Sequence, residues 1–435
     1  MKRLVSFFTI TLLLVVLSLI SNVHVGTAQS GLITFISSDT TWTKAGSPYS
    51  LDGPIVVSVG VTLTIEAGVT VNFNSYYLTV NGTLRAVGSS ADKIRFNGGN
   101  ISFTGFSSVW NEQAGSGCII KNAVLTGASV FGASAKIDGC SITAQTVNGY
   151  LVSNNVIVGN VNGVNVLGNT ITGDVSGSGS VSNNTITGTV SAAGSSLVTH
   201  NYVTSGGISC REQSQVSENT ITGCQTGITS PALFYQSGGI PLIEKNLITN
   251  NTNGISIEIW IRMWVGSNFP IIRNNTISHN SIGIKYIFSQ QESGNYPTPN
   301  ITYNNIQDNT NFNFYLDSPE ITVNVTYNWW GTSNQQAINL TIRDYKYDLT
   351  LGRVEFVPFL TSANPSALPS STGPTPTPTP SPSPTPTPTS SVSPTPSQEP
   401  TVPEFPATFA LAFLIMATIA VAVGFKKRTI TKLPT

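Results

Sequence analysis

Acidic side chains in the middle of this 435-residue chain stand apart from one another, at Asp138, Asp174, Glu212, Glu218, Glu244, Glu258 and Glu292, and no Asp-Asp pair occurs. Cleaving a glycosidic bond takes two carboxyl groups facing one bond, and holding calcium takes several oxygens around one ion. Neither pattern is written locally. His200 and His279 lack a second His at metal-ligand spacing, and Met263 is the one Met between the two apolar ends of the chain, so no soft-metal site is expected. The sequence nominates no catalytic residue, no metal and no cofactor, although a repeating fold could still bring distant carboxylates together.

Aromatic residues beside polar groups offer a different chemistry. Tyr235, Trp260, Trp264, Tyr286 and Tyr296 lie close in sequence to Glu258, Arg262 and Lys285. Exposed rings flanked by hydrogen-bonding groups hold sugar rings or flat partner surfaces. Tyr235, Glu258, Trp260, Arg262, Trp264, Tyr286 and Tyr296 are therefore the candidate ligand-binding set, with a polysaccharide or glycan as the expected partner. The alternative is structural, because Ile257-Glu258-Ile259-Trp260-Ile261 reads as a strand with one buried face. Asn250 and Asn339 begin Asn-x-Ser/Thr sequons outside the repeat register and are the candidate N-glycosylation sites. Cys118, Cys140, Cys210 and Cys224 are even in number, and proximity favours pairing the first two and the last two, with buried free thiols as the alternative.

The elements that must position these groups are announced by a repeat. An Asn-x-Ile/Val unit starts at Asn122 and returns at Asn155, Asn169, Asn184, Asn201, Asn219, Asn246, Asn275 and Asn304, and Asn328 closes the series. From Asn155 to Asn304 the spacings run 14, 15, 17, 18, 27, 29 and 29, while Cys140 fills the vacant slot after Asn122. Constant units with variable insertions are the mark of a solenoid. In a parallel coil the Ile or Val shares the inward face of its Asn, which predicts an aliphatic column beside a ladder of amides about 4.8 Å apart. Gly163, Gly227, Gly254 and Gly283 each sit eight residues after an Asn, predicting one shared corner. The three longest coils rejoin at Pro241, Pro270 and Pro299, each five residues before the next Asn, so their insertions should leave from one side.

Upstream, Ile55 to Val80 alternates apolar and polar residues between glycines, as short strands do. The stretch from Pro48-Tyr49 through Glu66-Ala67-Gly68-Val69 to Phe73 resembles the opening coils of right-handed parallel β-helix proteins. Asn328-Trp329-Trp330-Gly331, followed by a strand from Val354 to Leu360, resembles the terminal coil of bacterial and archaeal β-helix surface proteins. The resemblance runs from about Gly31 to Phe359 and implies an all-β, right-handed parallel β-helix of the pectate-lyase-like class. It implies no single activity, because that fold carries lyases, hydrolases and adhesins alike. Two adjacent Trp are expected to cap the open end.

The termini complete the expected plan. Residues 1–28, with a basic start, an apolar run and Gly26-Thr27-Ala28, read as a secretory signal. The β-helix is placed at 29–363 and a Pro/Ser/Thr-rich stalk at 364–402. An anchor follows at 403–435, whose apolar run Ala407 to Gly424 precedes Lys426-Lys427-Arg428 and puts the C-terminus in the cytoplasm. Pro403-Glu404-Phe405-Pro406 with that tail resembles the signals read by archaeal sortase-like membrane enzymes, which implies exchange of the helix for a lipid; Thr429 to Thr435 after the basic cluster depart from that pattern, and a permanent helix is the preferred reading. With 9% charged residues and zero formal net charge, nucleic acid is not expected as a partner. The expected protein is a membrane-tethered, extracellular, non-catalytic surface protein that binds polysaccharide or glycan. A polysaccharide lyase or glycoside hydrolase is the runner-up.

Overall fold

The computed structural model describes residues 31–232, 240–260, 269–289, 299–319 and 321–369. The signal segment, the linker beyond residue 369 and the anchor lie outside the described residues. Among those described, the strands form one parallel sheet of 36 strands wound as a solenoid, plus a two-stranded parallel pair at its C-terminal end. The architecture is all-β and parallel β-helix-like.

Each coil visits three stacks of strands. The third stack runs from Thr34–Ile36 to Ile342–Arg343, the pre-ladder stack from Thr40–Trp42 to Asn300–Thr302, and the post-ladder stack from Tyr49–Ser50 to Asn305–Gln307. A coil passes through them in that order. Many strands are triplets whose central residue points inward while its neighbours point out, as in Thr170–Thr172 and Thr220–Thr222. The inward residues form columns. Ile142, Ile157, Ile171 and Ile186 pair in register, followed by Val203, Ile221, Ile248, Ile277 and Ile306, each at most 1% exposed. At about 1.5–3 kcal/mol for each buried aliphatic side chain, such columns supply the main driving force.

The expected glycine corner is corrected. Gly227, Gly254 and Gly283 do stack, because a Cβ on each would strike the next coil's backbone carbonyl at 2.5–2.6 Å. Gly163 belongs elsewhere: it pairs with Gly149 and Gly177 inside a continuous strand. Equal distance from the Asn misled because the segment between ladder and third stack changes length, Val161 lying six residues after Asn155 and Ile228 nine after Asn219.

The two Trp split their roles. Trp330 is buried and meets Phe356 edge-on at 6.2 Å, whereas Trp329 is half-buried and donates from Nε1 to Gln307 Oε1. The short helix Gln335–Leu340, N-capped by Asn334, adds buried Ile338 to the same end.

Outside the core, the outward positions of the post-ladder stack carry Arg95 in an early coil and no charged residue from there on. From Val124 and Thr126 to Leu247 and Thr249 they are mostly Thr, with Val, Ser, Tyr and Leu at the remaining places. Beyond it, residues 361–368 fold back across the last two coils of that stack. Thr276 Oγ1 donates to Ala367 O at 2.6 Å, and Asn305 exchanges two hydrogen bonds with the backbone of Asn364.

Candidate functional site

The ladder is an internal spine. Asn155, Asn169, Asn184, Asn201, Asn219, Asn246, Asn275, Asn304 and Asn328 are at most 2% exposed. From Asn169 on, each Oδ1 accepts from the backbone N–H and Nδ2 of the preceding ladder Asn, as between Asn201 and Asn219 at 2.9 Å. Each Nδ2 also donates to a carbonyl of the previous coil, as Asn219 does to Val198 O. One amide thereby ties three coils. The residue before it adopts a left-handed conformation, with φ near 57° at Asn154, Asn183, His200 and Glu218, so the corner is turned at an ordinarily disfavoured backbone angle.

Asn122 does not belong to this ladder. Its φ is 49°, so it occupies the left-handed position, its Nδ2 donates to Gly88 O, and the ladder slot falls to Ala123. The inward residue of that coil is accordingly Leu125, paired with Ile142, rather than Val124. Cys140 heads the ladder in place of an Asn. Its N–H donates to Asn155 Oδ1, and its Sγ accepts from Ala123 N at 3.4 Å while lying 3.7 Å from Ile120 O.

Sequence reasoning missed a second ladder. Asn251, Asn280 and Asn309 repeat the same bonding at the next corner, and Cys224 heads it by donating to Asn251 Oδ1. The signal was present: each lies five residues after a member of the first ladder. All four cysteines are buried free thiols, which replaces the expected disulfides. Cys118 Sγ points to Gly82 O and Cys140 to the ladder corner, while Cys210 stacks under Ala192 and Cys224 Sγ points to Thr222 O. Burial pushes the Cys140 thiol up to about 11 and Cys210 up to about 12, and raises Cys118 and Cys224 in the same direction.

Chemically varied side chains gather on the outward face of the third stack, in its last coils. The strands Thr226–Ala232, Asn253–Trp260, Ile282–Ser289 and Phe312–Asp317 are in register there. Thr229, Ser256, Lys285, Tyr315 and Arg343 form one outward column, and Pro231, Glu258, Ile287 and Asp317 a second. The guanidinium of Arg343 lies 4.5 Å from the Tyr315 ring centre and 5.7 Å from that of Tyr347, and Lys285 Nζ lies 5.7 Å from Tyr315. Phe312 meets both tyrosines edge-on. Tyr347 is 67% exposed. Arg343 also donates to Leu316 O and lies 3.6 Å from Asp317, so its charge is held in place from three sides.

The predicted site residues fare unequally. Glu258 is on this face and accepts from Ser256 Oγ at 2.9 Å. Tyr286 is not: it is fully buried, in register between Ile257 and Leu316, and its hydroxyl has no hydrogen-bond partner among the described residues. Two-residue alternation puts Tyr286 inward when Lys285 points out, so it is removed from the ligand set. Trp260 ends a strand beside this face. Tyr235, Arg262, Trp264 and Tyr296 lie outside the described residues, in the segments 233–239, 261–268 and 290–298. Those segments depart from stacked strand ends and return at stacked strands, Leu242–Glu244, Ile271–Arg273 and Asn300–Thr302, as the prolines suggested. Tyr315, Asp317, Arg343 and Tyr347 were not foreseen, though aligning Ile255, Ile284 and Phe314, nine or ten residues after their Asn, would have put Lys285 and Tyr315 in one column.

Among the candidate glycosylation sites, Asn250 is exposed at a left-handed corner, whereas Asn339 accepts from Lys346 Nζ at 2.6 Å. His200 sits at a ladder corner 3.1 Å from Glu218, and His279 is exposed. Among the described residues no three of His, Cys, Asp and Glu come together as a metal-holding group. No described helix is long and apolar enough to cross a membrane.

No curated protein and no solved structure matches the chain. Residues 181–332 match a family described as a protein of unknown function, DUF1565, so the similarity extends from just before Asn184 to just past Asn328 and takes in all three long coils and most of the third-stack face.

Proposed function

We propose that the chain is a membrane-tethered, extracellular, right-handed parallel β-helix that binds polysaccharide or glycan, without catalysis, on the outward face of its third stack. One observation carries the reading: the three longest coils open at successive stacked positions beside a fixed cluster of Tyr315, Arg343 and Tyr347. A ring pair bracketing a guanidinium offers apolar faces for sugar C–H groups and donors for hydroxyls. The apolar run and basic cluster near the C-terminus support the tether, and the Pro403-Glu404-Phe405 tail supports lipid exchange as one form of it.

A glycan array probed with the full chain tests this. Binding that weakens at least tenfold in Tyr347→Ala and Tyr315→Ala is the expected result. Binding unchanged in both, and in Trp260→Ala and Trp264→Ala, removes the platform.

One feature favours the hydrolase reading. Glu258 and Asp317 share an outward column two coils apart, which is about 9.6 Å from strand spacing, near the separation of an inverting carboxylate pair. Polysaccharide turnover abolished by Glu258→Gln and by Asp317→Asn would establish that reading and displace the non-catalytic one.

A further inference from the structure

We propose that the turn at residues 364–367 is a mechanical clasp, which delivers a pull on the Pro/Ser/Thr-rich run after it to two inner coils instead of the terminal coil. The proposal rests on the tethered reading above for the source of that pull. After Leu360, whose N–H donates to Asn328 O in the last coil, the chain doubles back. Asn364 reaches the coil of Asn304 and Ala367 the coil of Asn275, two coils and about 9.6 Å from the end. Ala367 N–H closes the turn on Asn364 O at 3.2 Å, and Ser366 N–H donates to Asn364 Oδ1 at 3.0 Å. Asn364 followed by Pro365 favours such a turn, so little ordering is needed to form the clasp.

Five hydrogen bonds join the turn to the solenoid: Asn364 N–H to Asn305 Oδ1 at 2.7 Å, Asn305 Nδ2 to Asn364 O at 3.0 Å, Asn364 Nδ2 to Asn274 Oδ1 at 3.0 Å and to Tyr303 O at 2.6 Å, and Thr276 Oγ1 to Ala367 O at 2.6 Å. Asn274 and Tyr303 are the left-handed corner residues of successive coils, and Thr276 pairs with Asn305, so the turn staples two coils at a corner and at a strand. Ala367 is fully buried. The coils gripped are bonded on either side through sheet and ladder. In the terminal coil, Thr322–Asn324 and Arg353–Glu355 pair with each other, outside the 36-stranded sheet. A solenoid whose coils touch only their neighbours opens from an end. A pull entering at Leu360 would break the bonds of that coil one after another, whereas a pull entering at Ala367 strains five bonds together.

The test pulls the full chain, in detergent, between DNA handles in an optical trap. The handles attach at Ser191→Cys on an exposed inner-coil position and at Ser390→Cys in the Pro/Ser/Thr-rich run; the four native thiols are buried and stay unlabelled. Bonds strained together share the force. The first rupture force should therefore fall by about two fifths in Asn364→Ala, which removes two of the five bonds, and by about three fifths with Thr276→Val added. Attachment at exposed Ser333→Cys instead of Ser390→Cys enters the terminal coil ahead of the clasp. There the parent should rupture at a lower force, and the variants at the same force as the parent. Urea unfolding midpoints establish that the variants fold; Thr276→Val alone keeps a β-branched shape and decides the matter if Asn364→Ala misfolds. Equal forces for the two attachments in the parent overturn the proposal, as do parent-like forces in all variants pulled from Ser390→Cys. The trap supplies its own pull, so the two readings fail separately: release of the chain from membranes by alkali would remove the tether, and with it the clasp's role, while the force difference stood.

Discussion

Replacing Asn219 by Ala should be among the most damaging single changes in the solenoid, although it removes only an uncharged amide. Asn219 Oδ1 accepts from Asn201 N and Asn201 Nδ2, and its Nδ2 donates to Val198 O, Ser217 O and Asn246 Oδ1. Some partners keep other bonds: Asn201 Nδ2 retains Val181 O and Thr199 O, and Asn246 Oδ1 retains Asn219 N. The backbone N–H of Asn201 is left with no acceptor in a site 1% exposed. An orphaned buried donor costs about 1–3 kcal/mol, and the two bonds that the two Nδ2 hydrogens can make at once about 1 kcal/mol each, so the loss should be about 3–5 kcal/mol. Asn219→Asp keeps the acceptor but loses the donors, and it should be worse at neutral pH than at acid pH because a buried carboxyl is driven to its neutral form. Urea unfolding followed by circular dichroism gives the magnitude. Because coils can open in sequence, amide exchange at Asn201 should be read alongside, where protection should fall while amides several coils away keep theirs. A loss under about 1 kcal/mol in both Asn219→Ala and Asn246→Ala, with Asn201 still protected, would refute the argument that the ladder holds the coils together.

Cys140→Asn should be tolerated and should raise the unfolding midpoint, since the thiol already lies where an amide would bond to Ala123 N and Ile120 O; a midpoint below that of Cys140→Ala would contradict this. Tyr286→Phe should be neutral or stabilising by about 1–3 kcal/mol in the same unfolding assay, because it removes a hydroxyl buried without a partner among the described residues. Burial opposes ionisation of Asp138, yet hydrogen bonds from Asn154 and Ser153 with the charge of Lys121 outweigh it and hold the carboxyl below its usual value. A lowered folded-state pKa gives stability that is full above the unfolded value of about 3.9 and is lost as pH falls through the folded one. The midpoint of Asp138→Asn should therefore depend less on pH below about 4 than that of the parent. All four thiols should resist maleimide in the native state at pH 8 and react once urea unfolds the chain, given their burial and the upward push on Cys140 and Cys210.

What the sequence determined by itself was the coil. Side chains alternate with period two, so Asn155 and Ile157 must share a face, and a unit repeated at 14 to 29 residues must stack. This was enough to place every ladder member from Asn155 to Asn328 inside, to assign Cys140 the empty slot and to make the long coils open at one edge. Tertiary structure alone decided whatever depends on register between coils of unequal length. A one-residue offset moved Asn122 out of the ladder and put Ala123 in. The same alternation sent Tyr286 to the core and Lys285 to the surface, and it brought Tyr315 and Arg343 from separate coils into one column. Spacing along the chain fixes which way a side chain points only after its strand is known to begin, and where strands begin is settled by the neighbouring coils whose backbone they must bond.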